Sequence, residues 1–104
     1  MTGMAVTHVV TFTWNDDTTS EIVDDIHARL RAWIDRGEGL EGLESWQAGR
    51  DLGLAAGNAA YGVSATFADQ EAYERYRDHP EHQAIISEHI RPRLATRSGL
   101  QFAH

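Results

Sequence analysis

The sequence contains no cysteine, which removes disulfide frameworks, thiolate metal sites and cysteine nucleophiles together and fits a reducing compartment. Lysine is absent too. All nine Lys/Arg positions are arginine, so a Schiff-base mechanism could draw only on the terminal amine. Any carbonyl chemistry is therefore acid–base or metal-assisted. Uninterrupted apolar runs reach only a few residues, too short to cross a bilayer as a helix, so no membrane partner is expected. The opening MTGMAVTHVV lacks the basic region and apolar stretch of a secretory signal, and the expected location is cytoplasmic. Positive charge is scarce: a formal net charge of -7 opposes binding to a polyanion, and nucleic acid is not expected as a partner.

What is present fits one folded domain spanning 1–104. A chain of 104 residues with 41% hydrophobic content can bury a modest core, and domains of this size often gain further burial by oligomerising.

AVTHVVTFTW, residues 5–14, mixes β-branched and aromatic residues, and His8, Val10, Phe12 and Trp14 would share one strand face. Thr18-Thr19-Ser20-Glu21 has capping-box spacing from Thr18 to Glu21. Ile22, Ile26, Leu30 and Trp33, widened by Val23 and Ile34, then give an amphipathic helix that Gly37 and Gly39 close. LESWQAGRDLGL, residues 43–54, predicts an irregular strand. After a loop at 55–59, Tyr61, Val63, Ala65 and Phe67 alternate as a half-buried strand and pair with it as a hairpin. Asp69 caps a short helix bearing Tyr73 and Tyr76, and Pro80 ends it while suiting the first turn of the next. Ile85, Ile86, His89 and Ile90 give that helix an inner face to about Pro92, and 98–102 return as a last strand.

The order β-α-β-β-α-α-β predicts a ferredoxin-like α+β fold, with a four-stranded antiparallel sheet covered by helices on one face. The other face is left without a cover. A homodimer pairing two sheets face to face would supply one.

The densest polar cluster is YRDHPEH, 76–82, at the joint between two helices. His82, just inside a helix N-terminus, is placed where the dipole favours the neutral imidazole that a general base needs. Tyr76 could orient that ring or donate to an oxyanion on a substrate carbonyl. The plainer reading stands beside it: Tyr76 and His79 pack the joint, and His82 is solvated. His8 on an apolar strand face is by itself a core histidine unless it converges with His82. Arg75 and Arg77 read as exposed helix cations among Glu71, Glu74 and Asp78. Trp14, Trp33 and Trp46 read as core or dimer interface, or as the wall of a pocket for an aromatic ligand.

A metal is not expected. His82 and His89 are seven apart on one helix face, about 10 Å along the axis. They cannot both ligate one ion, which leaves His79 and His82 short of the three or four protein ligands of a zinc site.

Together, Thr7-His8-Val9-Val10-Thr11-Phe12, Ala48-Gly49-Arg50-Asp51, Ala65-Thr66-Phe67 and above all Tyr76-x-x-His79-Pro80-x-His82 resemble the Dabb, or stress-responsive α/β-barrel, domain over nearly the whole chain. The resemblance implies a small dimeric α+β barrel. Some members are stress-associated proteins of unclear activity, whereas a plant polyketide cyclase and a plant hydroxynitrile lyase act on carbon–carbon bonds. For this chain it implies a cofactor-free site acting on a small carbonyl or aromatic, polyketide-like substrate. His82 would be the general acid or base, Tyr76 its hydroxyl partner and His8 a residue of the same cavity. Tyr61, His79, Phe12 and Trp33 are expected to line the pocket, Tyr61 standing where the cyclase has a histidine. Gln101 stands where an aspartate is common. Two alternatives remain open: a non-catalytic stress-response or ligand-binding dimer, and a monooxygenase of the same dimeric-barrel type.

Overall fold

The computed structural model describes residues 4–104. The elements are β1 (Val6–Trp14), α1 (Ser20–Arg36), β2 (Leu43–Arg50), β3 (Tyr61–Phe67), α2 (Gln70–Asp78), α3 (Pro80–Ile85) and β4 (Leu94–Ala103). Between α3 and β4 the helix widens into a π turn at Ile86–Ile90, where the Arg91 N–H bonds to the Ile86 carbonyl, and tightens into a 3-10 turn at Arg91–Arg93. The strands form one antiparallel sheet in the order β2-β3-β1-β4. This is the expected ferredoxin-like fold.

The two-residue period of β1 puts Val6, His8, Val10 and Phe12 on the helix-covered face. Tyr61, Val63, Ala65 and Phe67 of β3 join them, and α1 lays Val23, Ile26, Leu30 and Trp33 over the sheet. The cap of α1 lies one residue later than the sequence suggested. Thr19 accepts from the Ile22 N–H, while Thr18 donates to Asn15 at 2.6 Å. Gly37 closes the helix at φ 67°, the left-handed conformation that glycine adopts without a Cβ penalty.

Two strand boundaries also move. β2 stops at Arg50 because Asp51 turns the chain: its carboxylate accepts from the Gly53 N–H at 2.8 Å and from the Asn58 amide at 2.9 Å, an Asx-type turn. β4 starts at Leu94 rather than Ser98, paired with β1 from Trp14 onward. Its residues are exposed apart from the half-buried Leu94.

Among the described residues, nothing covers the opposite sheet face, where Thr7, Val9 and Thr11 of β1 face out beside Leu100 and Phe102 of β4. Leu100 and Phe102 are 55% and 46% exposed. No helix of the described residues is long and apolar enough to cross a membrane.

Candidate functional site

A cavity of about 290 Å³ opens between the β1/β4 side of the sheet and the α2–α3 arm, with His8, Phe12, Tyr76 and His82 in its wall. His8 stands on the inner face of β1 opposite Gln101 of β4 and is 4% exposed. The Gln101 amide nitrogen lies 2.9 Å from His8 Nδ1. An amide NH₂ can only donate, so Nδ1 is the acceptor and the ring proton is on Nε2. Burial, reinforced by His82 and Arg97, pulls the His8 pKa down to about 4, and the ring is neutral at pH 7.

His82 carries the opposite tautomer. Its Nδ1 lies 3.0 Å from the Arg77 carbonyl and must donate to it, which leaves Nε2 with a free lone pair. The His82 pKa is lowered, chiefly by burial. The backbone carbonyls of Arg77 and Tyr76 work in the other direction, and His79 and Arg97 add to the lowering. The cause therefore differs from the expected helix dipole: α3 has only six residues, and desolvation by the surrounding rings does the work instead.

Those rings fix the imidazole. Trp33 stacks on it at 4.9 Å with planes 16° apart, and the Tyr76 ring lies 4.6 Å away. The Tyr76 ring is also 5.8 Å from His8, so one aromatic plate joins both histidines. Its hydroxyl has one hydrogen-bond partner among the described residues. It accepts the Trp46 indole N–H at 3.2 Å, and no hydrogen bond joins it to His82 among the described residues. Burial pushes the phenol up to about 12.

Three expected wall residues lie elsewhere. Tyr61 pairs with Phe12 at the far end of the strand and meets His27 Nδ1 at 2.7 Å. His79 caps α3, its Nδ1 accepting from the Glu81 N–H at 3.1 Å and its Nε2 donating to the Glu38 carbonyl at 3.0 Å. Trp33 sits behind His82 rather than in the wall. Its buried indole N–H has no partner among the described residues, so what it contributes to the site is its ring face. Phe12 does line the cavity.

Tyr73, Gln101 and Arg97 were not assigned to the site from the residues alone. Tyr73 lies three residues before Tyr76 on the same helix face, and its ring is 5.2 Å from His8. Arg97, Gly99 and Gln101 share the inner face of β4, an alternation that would have pointed to the cavity had the register been known. Among the described residues, no group of three or more His, Cys, Asp or Glu side chains is placed to hold a metal ion.

The fold defines a small ferredoxin-like α+β protein. The sequence matches the stress responsive A/B barrel domain, Dabb, over residues 6–102, and the chain belongs to that family. It is 35% identical to a dimeric ferredoxin-like protein of unknown function from Thermobifida fusca, with 98% of this chain and 92% of that one covered at a TM-score of 0.88. The fold is shared with the hydroxynitrile lyase of Passiflora edulis at 17% identity, TM-score 0.80, covering 97% and 94% of the two chains. It is shared also with a cofactor-independent oxygenase from Streptomyces nogalater at 20% identity, TM-score 0.74, covering 98% and 94%. No curated protein matches the sequence.

Proposed function

We propose that this Dabb protein is a cofactor-independent acid–base enzyme acting on a small enolisable carbonyl compound. The observation that carries the reading is the pair of neutral imidazoles of opposite tautomer in the wall of one cavity. His82 Nε2 takes a proton from the carbon next to the carbonyl. The C–H electron pair moves into a new C=C bond, and the carbonyl π pair moves to oxygen. The His8 Nε2–H hydrogen-bonds that oxygen, stabilising the enolate where its charge develops. The enolate carbon then attacks a second carbonyl of the substrate, whose π pair moves to its own oxygen; in aldol cyclisation His82 returns its proton to that alkoxide, and in Claisen cyclisation the alkoxide collapses, the acyl carbon–heteroatom bond breaks and the departing thiolate or alkoxide takes the proton from His82. Run backwards, the aldol steps cleave a carbon–carbon bond. Trp33 and the Tyr76 ring hold the base in place.

The test is hydrogen–deuterium exchange at the α-carbon of an aryl ketone in D₂O, followed by NMR. His82→Ala should slow protein-catalysed exchange by at least about tenfold, a floor set below the roughly 10²–10⁴-fold that a general base usually contributes. Wild-type protein that produces no exchange above buffer would leave the non-catalytic ligand-binding reading in its place.

The working form in this reading is a homodimer joined through the outer sheet faces. Support comes from the uncovered Leu100 and Phe102 and from the dimeric description of the Thermobifida fusca relative. Phe102→Glu should give monomers by light scattering, whereas an unchanged dimer would move the interface elsewhere.

A further inference from the structure

The cavity wall contains Arg77, Arg91 and Arg97 and no aspartate or glutamate. For a chain with 16 acidic and 9 basic side chains, that is a local inversion of charge. Arg77 is already neutralised, since both oxygens of Asp78 accept from it at 2.8 and 2.9 Å. Among the described residues, no salt bridge engages Arg91 or Arg97.

Arg97 has a seat prepared for it. It lies on the inner face of β4 opposite Phe12, with Gly99 opposite Val10 and Gln101 opposite His8. A Cβ at Gly99 would stand 3.3 Å from both terminal nitrogens of Arg97. The missing side chain of Gly99 is therefore the space along which the guanidinium lies, folded back along the strand toward the His8–Gln101 pair. Its charge is felt by His8, Tyr73 and His82 alike. A planar guanidinium matches a carboxylate through two parallel N–H···O bonds.

We propose that the substrate carries a carboxylate, held at the cavity mouth by Arg97 and Arg91 with its enolisable carbon toward His82. This rests on the acid–base reading for the position of the carbon, but the anion site stands on the arginines alone. A cavity of about 290 Å³ is near the lower end of ligand pockets, so the substrate is a small oxo acid or aryl oxo acid.

The experiment compares 3-benzoylpropanoate with its methyl ester, which keeps the ketone and removes the charge. Binding is read from tryptophan fluorescence, since Trp33 packs on His82, and α-carbon exchange is read by NMR. Wild-type protein should bind the carboxylate at least about tenfold more tightly than the ester, the scale of one charge-assisted hydrogen bond. Arg97→Gln, and more fully Arg91→Gln with Arg97→Gln, should erase that preference with an unchanged circular dichroism spectrum. Equal binding of acid and ester, no binding of either, or a preference that survives the double substitution overturns the proposal. His82→Ala separates the two readings. Loss of exchange with the carboxylate preference kept supports both, whereas wild-type exchange in that variant removes the acid–base role and leaves the anion site standing.

Discussion

Acid should destabilise this protein through His8, and by an amount that can be worked out. An imidazole titrates near 6.5 in the unfolded chain, whereas burial holds that of folded His8 at about 4. Above pH 6.5 neither state binds the proton, and the stability advantage of the folded state is complete. As pH falls from 6.5 toward 4, the unfolded chain takes up the proton first and gains free energy that the folded state cannot match. The loss reaches about 2 kcal/mol by pH 5 and about 3 kcal/mol by pH 4, at 1.36 kcal/mol per pKa unit. Urea denaturation at pH 7.5 and pH 5 measures it. His8→Asn, which keeps a polar partner for Gln101, should lose about 2 kcal/mol less over that interval than wild type, whatever its stability at pH 7.5. Equal losses in the two proteins, or an NMR titration of His8 with its midpoint at 6.5 or above, would refute the reasoning.

Tyr76→Phe should cost about 1–3 kcal/mol in urea titrations, because it leaves the buried Trp46 N–H unpaired, while α-carbon exchange stays within about threefold of wild type; a large loss of exchange would return the hydroxyl to the chemistry. For Gly42→Ala, the new Cβ would stand 2.6 Å from the Ala72 Cβ at a φ of 88°, and thermal melts should show destabilisation of about 2 kcal/mol or more. The acid limb of the exchange rate should fall only below pH 6.5, since the His82 pKa is lowered and the neutral base persists into mild acid.

Most of the architecture is legible because its burial is periodic. His8, Val10 and Phe12 at every second position, and Ile26, Leu30 and Trp33 at helical spacing, identify their elements and inner faces. β4 is less legible because it lacks that contrast: LATRSGLQFA carries polar or small residues inward and Leu100 and Phe102 outward. ISEHI reads as ordinary helix, since nothing in a residue pattern distinguishes a π turn from an α turn.

At the site, His8, His82 and the Tyr76 ring share one cavity wall, but hydrogen-bond direction depends on neighbours distant in sequence. Gln101 sets the tautomer of His8 across 93 positions, and Trp46 takes the Tyr76 hydroxyl across 30. Arg97 stayed hidden because an arginine on an exposed strand ordinarily reads as a solvated charge.

The π turn at Ile86–Ile90 acts as a phase shift in the wall. With its N–H bonded to the Ile86 carbonyl, Arg91 stacks above Ile86, and both line the cavity. In an α-helix, five residues advance the face by about 500°, leaving Arg91 about 140° away from Ile86. For the intact chain, one residue of slack in the winding thus decides whether the entrance carries a cation; with Ser87 deleted, Arg91 would follow Ile86 by four residues, about 40° away in an α-helix, so the π turn would relax to α while the charge stayed at the opening.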